Sequence, residues 1–289
     1  MKTCATEVPF VISMDNALVP LRDSPMRPAE WRPRDATISV MPHPIESSHL
    51  KIERANQHIA AIRAIVLTLA DAYIATVEIN PDGGNEVVKH DLRNRDKIIS
   101  DIALMLGDAI HNLHCALDHA WIAALTRLSP QSINRHTKFP VFVSRDKVEG
   151  ALRSVKVDVT APSLFNTVLN GICPYEGGND SIWDIHRLDI DDKHILLLPV
   201  VEFASIKGIK VENEQGDSEN AFTWATTQNP PYYVPIPVGW HFKEKGQVTF
   251  SLTFGEGIPT HGMEVLDMLS VFAFRVLTVV QLLENEISN

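Results

Sequence analysis

The chain has 289 residues, of which 45% are hydrophobic and 21% are charged. This composition is typical of a globular protein that buries a core without disulfides. The formal net charge of −10 argues against a global attraction to nucleic acid or anionic lipid, although it is compatible with a local basic patch. Three widely spaced cysteines, Cys4, Cys115 and Cys173, exclude a disulfide framework and favour a reducing compartment.

Residues 1–45 are predicted to be a proline-rich extension, because seven prolines in this stretch prevent a long helix. Glu7 and Asp15 interrupt the apolar pattern that a signal peptide requires. Two apolar segments, 64–70 and 271–283, are too short or too interrupted for a membrane span of about 20 residues. The sequence therefore predicts a soluble, cytoplasmic protein that does not enter the membrane.

Three long helices are predicted in the remainder, which is taken as a single domain over residues 46–289. Apolar residues recur at three- and four-residue steps over 48–78, which predicts an amphipathic helix. A second helix is predicted over 96–127, and Ser129 and Pro130, just beyond it, prevent its continuation. A third, apolar on most sides, is predicted over 260–287.

Strand patterns occupy residues 195–256, between the second and third helices. In Gln247–Phe254, apolar and polar residues alternate with the period of a half-buried strand. A short strand is also predicted at Lys138–Val143, and helical stretches near 145–154 and 161–169. The predicted fold class is α+β, a bundle of three long helices with a small antiparallel sheet inserted before the C-terminal helix. Its apolar faces also predict a homodimer through the bundle.

The helix predicted over 96–127 has an unusual polar face. Short polar groups share one side of it at 100° steps: these are Asp108, His111, Asn112, Cys115, Asp118 and His119. No Lys, Arg or Glu occurs from Asp101 to Thr126, although solvated helix faces favour these residues. The face is therefore expected to turn toward other protein or a cleft, where each polar atom needs a partner.

Three interpretations fit this face. It could be a hydrogen-bond network that locks helices together without chemistry, as in a binding or scaffold protein. It could bind a metal through Asp108, His111 and His119, as in a hydrolase built on a helical bundle. It could also perform acid–base or nucleophilic chemistry with imidazole groups, which titrate near neutral pH.

The segment from Gly107 to His119 resembles a motif of a widespread group of bacterial proteins without an assigned activity, G-D-x-x-H-N-L-R-x-x-L-D-H. The resemblance extends over about residues 48–200. It includes an F-P-x-F segment like Phe139–Phe142 and a D-K-H motif like Asp192–His194. The paired motifs imply that the helix and the later segment act together.

The same motif is also similar to the R-x4–6-H motif of HEPN domains, helical bundles that often act as metal-independent ribonucleases. His119 matches the histidine, and His114 occupies the position of the arginine. The similarity implies that His119 is the acid–base group, with Asp118 as its orienting partner. His114 would then stand in for the cationic group that stabilises phosphate charge.

A dense charged run, His186–His194, is the second candidate region. A solvated turn is the ordinary interpretation of such a run, but apolar residues flank it on both sides. If it faces the polar helix, Asp192, Lys193 and His194 would join the same pocket, and His111 and Asn112 would contact the substrate. The lead function is then a HEPN-like protein that binds or acts on RNA or another phosphate-bearing ligand; no cofactor is indicated.

Overall fold

The computed structural model describes residues 44–80, 85–197, 199–221 and 224–289, which belong to one compact unit. The proline-rich extension, except for its last residues from Pro44, lies outside the described residues. The helices are α1 (Pro44–Ala72), α2 (Arg95–Leu128), α3 (Arg145–Ser154), α4 (Val157–Thr160), α5 (Pro162–Asn166), α6 (Asp180–Asp192) and α7 (Val265–Ser288). The strands are β1 (Tyr73–Ile79), β2 (Glu86–Leu92), β3 (Pro199–Lys207), β4 (Ile209–Asn213), β5 (Ser218–Ala221), β6 (Trp224–Gln228), β7 (Tyr232–Pro235), β8 (Trp240–Glu244) and β9 (Gln247–Phe254).

The architecture mixes helices with small antiparallel sheets, as the α+β prediction requires. The helices α1, α2 and α7 are the longest among the described residues, and each contacts the other two. The apolar side predicted for α2 is buried, with Leu106, Leu113 and Leu117 fully inside the core. The main core therefore forms around α2.

The first helix ends earlier than the sequence predicted. It stops at Ala72, and the following residues form β1 instead of continuing the helix to residue 78. The stretch Tyr73–Ile79 contains β-branched and aromatic residues, which favour a strand when a partner is available. Strand β2 is that partner, with Tyr73 opposite Leu92 and Ile79 opposite Glu86.

Three small sheets contain the described strands, in the orders β1-β2-β7, β6-β3-β9 and β5-β4-β8. The predicted β-rich region at 195–256 corresponds to β3–β9, but the hairpin of β1 and β2 before α2 was not predicted. Strand β7 joins that hairpin, so chain segments on both sides of α2 share one sheet. Val88, Val211, Val234 and Ile236 form a second, smaller core beside the sheets.

A buried polar contact joins the first hairpin to the segment between β8 and β9. The Tyr73 hydroxyl donates to the carbonyl oxygen of Lys245 at 2.9 Å and lies 2.6 Å from Nδ1 of His90. With its proton donated to Lys245, the hydroxyl accepts the Nδ1–H of His90. Burial lowers the pKa of His90 to about 4, so its imidazole is neutral and Nε2 carries only a lone pair.

Three further segments differ from the sequence prediction. Residues 138–143 form no strand: Phe142 makes an isolated bridge to Tyr175. The last helix begins at Val265 rather than at residue 260. Glu264 caps this start by accepting hydrogen bonds from the backbone N–H groups of Leu266 and Asp267. The charged run 186–194 is mostly helical, because it continues α6 up to Asp192.

Helix α7 is long and apolar enough, by length and composition, to cross a membrane. Its most apolar window has a mean hydropathy of 1.8, and 39% of that window is buried inside the protein. The core helix of a soluble protein meets the same criterion. The cytoplasmic location and the homodimer stay predictions.

Helix α6 approaches α2 closely at Gly107. A Cβ added at this glycine would lie 2.4 Å from a carboxylate oxygen of Asp192, which is closer than non-bonded atoms come. Asp192 is half-buried there and accepts a hydrogen bond from the backbone of Leu197. The two sequence motifs, G-D on α2 and D-K-H after α6, therefore meet at this contact.

We expect Gly107→Ala to lower the free energy of unfolding by about 1–3 kcal/mol, because the methyl group must displace the Asp192 carboxylate. Gly150→Ala is the matched control, since it also lies inside a helix but has nothing within 4 Å of the added Cβ. There the substitution should stabilise by up to about 1 kcal/mol, the ordinary helix propensity difference. Urea denaturation of both variants measures this; equal effects would contradict the close contact.

Candidate acid–base site on the second helix

The centre of the site is the carboxylate of Asp189 on α6, which is 2% exposed. Lys193, one turn later on the same helix, donates to Oδ2 at 2.5 Å. From α2, His111 Nδ1 lies 2.8 Å from Oδ1, and His114 Nδ1 lies 3.4 Å from Oδ2. The helix α2 and the charged run 186–194 are therefore adjacent, and Asp189 is the residue that joins them.

Asp189 stays ionised despite its burial. Burial by itself would raise the pKa of this carboxyl group, but the hydrogen bonds from Lys193 and His111 and the nearby His114 outweigh it. The net result is a pKa below the ordinary value. An ionised carboxylate only accepts hydrogen bonds, so Nδ1 of His111 carries a proton and donates it to Asp189.

His114 and His186 form a pair between α2 and α6. Nε2 of His114 lies 3.2 Å from Nδ1 of His186, and the two rings stack at a centroid distance of 5.4 Å. Burial is the main cause that lowers the pKa of both imidazoles. The charges of His114 and Lys138 lower the pKa of His186 further, to about 4. Two neutral rings fit this arrangement: His186 donates from Nδ1 to Nε2 of His114, whose own Nδ1 faces Oδ2 of Asp189 at 3.4 Å.

His119 and Asp118 have separate partners. His119 Nδ1 lies 2.9 Å from the hydroxyl oxygen of Ser47 on α1. Asp118 accepts the backbone N–H of Phe139 at 2.7 Å, and its other oxygen lies 3.9 Å from Nδ1 of His114. Ser47 rather than Asp118 is thus the group that orients His119.

The half-buried residues of the predicted face lie close to α1. Lys51 of α1 donates to the side-chain oxygen of Asn112 at 3.3 Å, and Asn112 donates to the carbonyl oxygen of Asp108. The thiol of Cys115 lies 3.4 Å from Nε2 of His111. Burial lowers the pKa of His119, and the charge of Lys51 lowers it further.

The remaining predicted site residues lie at the edge of the site. Asp108 is exposed, and so is His194, which follows the end of α6. Asp192 packs on Gly107, and burial raises the pKa of its carboxyl group, helped by the negative charges of Asp189 and Asp108. These groups surround the Asp189 centre without a hydrogen bond to it among the described contacts.

The proposed metal ligands have different neighbours. His111 contacts Asp189, His119 contacts Ser47, and Asp108 is exposed on the first part of the face. Within residues 44–80, 85–197, 199–221 and 224–289, no three His, Cys, Asp or Glu residues are arranged to hold a metal ion. The donor set of Asp108, His111 and His119 is therefore not brought together in this structure.

A cavity of about 200 Å³ lies next to Phe139, whose backbone N–H donates to Asp118. Trp121, Leu125 and Phe142 contribute to its apolar lining. Lys138 lies at its edge, close enough to lower the pKa of His186.

Sequence reasoning did not single out Asp189, His186, Ser47 or Lys51 as site residues. A signal for the first two was present: Ile182, Ile185 and Leu188 recur at helical spacing after Asn179, whose side chain caps α6. On that helix His186, Asp189 and Lys193 fall on one side at three- and four-residue steps. Interpreting the run as a helix would have found them.

Comparisons with protein-family models, with curated proteins and with solved structures give no match to this chain. The resemblance to the bacterial motif group and the similarity to HEPN domains stay predictions. The function is therefore inferred from the geometry on α2.

We expect stability to fall as the pH drops from about 6.5 toward about 4, because unfolded histidine binds a proton in this range while folded His186 does not. The unfolded state then binds more protons and is favoured as the pH falls. His186→Gln removes this titration but keeps a hydrogen-bond donor, so its stability should depend less on pH. Denaturant titrations between about pH 7 and pH 5 test this. His261→Gln, at an exposed histidine, is the control and should keep the wild-type slope.

Proposed function

We propose that this chain is a HEPN-like helical protein whose His/Asp centre binds or acts on RNA or another phosphate-bearing ligand. In this proposal α1, α2 and α7 form one bundle, with the small sheets inserted before α7. The ligand binds where α1 meets α2, and His119 is the acid–base group.

The orientation of His119 is the observation that supports this role best. Ser47 holds one ring nitrogen, Nδ1, at 2.9 Å and leaves Nε2 for proton transfer. His119 is half-buried, and its lowered pKa keeps the ring neutral at neutral pH. A neutral, oriented imidazole is what general base catalysis requires.

A cation close to His119 supports a phosphate-bearing ligand. His114, at the arginine position of the HEPN motif, is 7% exposed and has a lowered pKa, so it supplies no positive charge to the ligand. Lys51 comes from α1 instead, close enough to influence the pKa of His119. Lysine binds phosphate as a point charge, without the bidentate geometry of arginine. We therefore assign the phosphate contact to Lys51.

A non-catalytic scaffold is the second candidate, favoured by the buried part of the network. Asp189 is 2% exposed, and its contacts to His111 and His114 connect α6 to α2. Buried polar networks of this kind specify how helices pack without performing chemistry. On this account His114 and Asp189 matter for stability, and Ser47, Lys51 and His119 bind no substrate.

The test is cleavage and binding of single-stranded RNA oligonucleotides in the presence of EDTA. We expect His119→Ala to reduce cleavage by about 100-fold or more, the usual contribution of a general acid or base. Lys51→Gln should weaken binding and reduce its dependence on salt, since one phosphate contact is lost. Melting temperatures should change little for either variant.

Two exposed residues serve as matched controls, His261→Ala and Lys147→Gln, which should leave both measurements unchanged. Wild-type protein that neither cleaves nor binds RNA would contradict the RNA-directed form of the proposal. A His119→Ala variant that loses stability by about 1–3 kcal/mol with no change in cleavage would favour the scaffold.

A further inference from the structure

A thiol, an imidazole and a carboxylate are aligned between α2 and α6. The thiol of Cys115 lies 3.4 Å from Nε2 of His111, and Nδ1 of His111 lies 2.8 Å from Oδ1 of Asp189. His111 and Cys115 are four residues apart on α2, so they are neighbours on one helix face. The carboxylate comes from a different helix and reaches the opposite ring nitrogen.

The protonation of the ring fits a general base. The ionised Asp189 carboxylate accepts the Nδ1–H of His111, so Nε2 has a free lone pair that accepts the thiol hydrogen. A nucleophile, a base in contact with it and a third group that orients the base are the elements of a catalytic triad. Cys115 is half-buried and His111 is half-exposed, so a small molecule can reach both.

We propose that Cys115 is a nucleophile for acyl transfer, with His111 as its general base and Asp189 as the residue that orients His111. The substrate class is activated acyl compounds, that is, esters and thioesters. This proposal does not rest on the proposed action on RNA, because its nucleophile and its base are Cys115 and His111 rather than His119.

The chemical step follows from the positions of the protons. Nε2 of His111 takes the proton from the Cys115 thiol while sulfur attacks the carbonyl carbon and forms a carbon–sulfur bond. The carbon–oxygen bond of the ester then breaks, and the leaving alcohol receives the proton from Nε2. Water, activated by the same nitrogen, hydrolyses the thioester, which releases the acid and restores the thiol.

The charges around Cys115 explain why a base is needed. Burial raises the pKa of its thiol, and the negative charges of Asp118 and Asp189 raise it further. These effects outweigh those of two lysines, which lower the pKa. The thiol is therefore protonated at rest, and His111 must remove the proton as sulfur attacks. Lys51 and Lys193, the two lysines near Cys115, provide positive charge for the oxyanion that develops on the carbonyl oxygen.

The test uses the full chain with p-nitrophenyl acetate as the acyl donor, followed by nitrophenolate release and by peptide mapping of the acetylated cysteine. We expect acetyl transfer to Cys115, and about 100-fold slower acylation in His111→Ala. His111→Gln, a second variant at the same half-exposed position, should be equally slow. Cys115→Ala should abolish the acyl-enzyme at this site.

Cys173 is the internal comparison, since it is also a free, half-buried cysteine. Cys173→Ser should leave acylation of Cys115 unchanged. If Cys115 is acetylated no faster than Cys173 in the wild-type protein, the proposal is overturned without relying on any variant. An unchanged acylation rate in both folded His111 variants would overturn it too. Neither result depends on RNA cleavage, so the two proposals fail separately.

Discussion

The arrangement of the site depends on one buried charge, the carboxylate of Asp189. A carboxylate with 2% exposure is stable only when cations or hydrogen-bond donors replace its water. Lys193 provides the cation from the end of the same helix, His111 donates a hydrogen bond from α2, and His114 of α2 lies 3.4 Å away. Separating the helices would leave this carboxylate without the His111 donor, so the contact constrains how α6 lies on α2.

The same carboxylate fixes where protons reside on the neighbouring rings. Asp189 accepts from Nδ1 of His111 and faces Nδ1 of His114 at 3.4 Å, which favours a proton on both Nδ1 atoms, so each neutral ring presents a lone pair at Nε2. For His114 that lone pair is buried and accepts from His186, which completes a structural network. For His111 it faces the thiol of Cys115 in a half-exposed position. One interaction thus produces both a rigid contact and a base that can react.

Helix α2 separates two chemical environments. On the α1 side, Ser47 orients His119 and Lys51 adds a positive charge; on the α6 side, Asp189 organises the imidazoles. The absence of long charged residues from Asp101 to Thr126 fits this position, because both polar edges of the helix pack against protein. Close approach at Gly107 brings the end of α6 onto the same helix.

The sequence by itself determined the bounds and faces of α2, since a period of 3.6 residues is a local property that Leu106, Leu113 and Leu117 display directly. It also gave the mixed α+β class. Only the folded structure decided that α1 ends at Ala72, because the strand Tyr73–Ile79 forms by pairing with β2 across a hairpin. The partners of His114 and His119 were decided in the same way: Asp189 and Ser47 lie more than 70 residues away in sequence, and local spacing carries no information about contacts across helices.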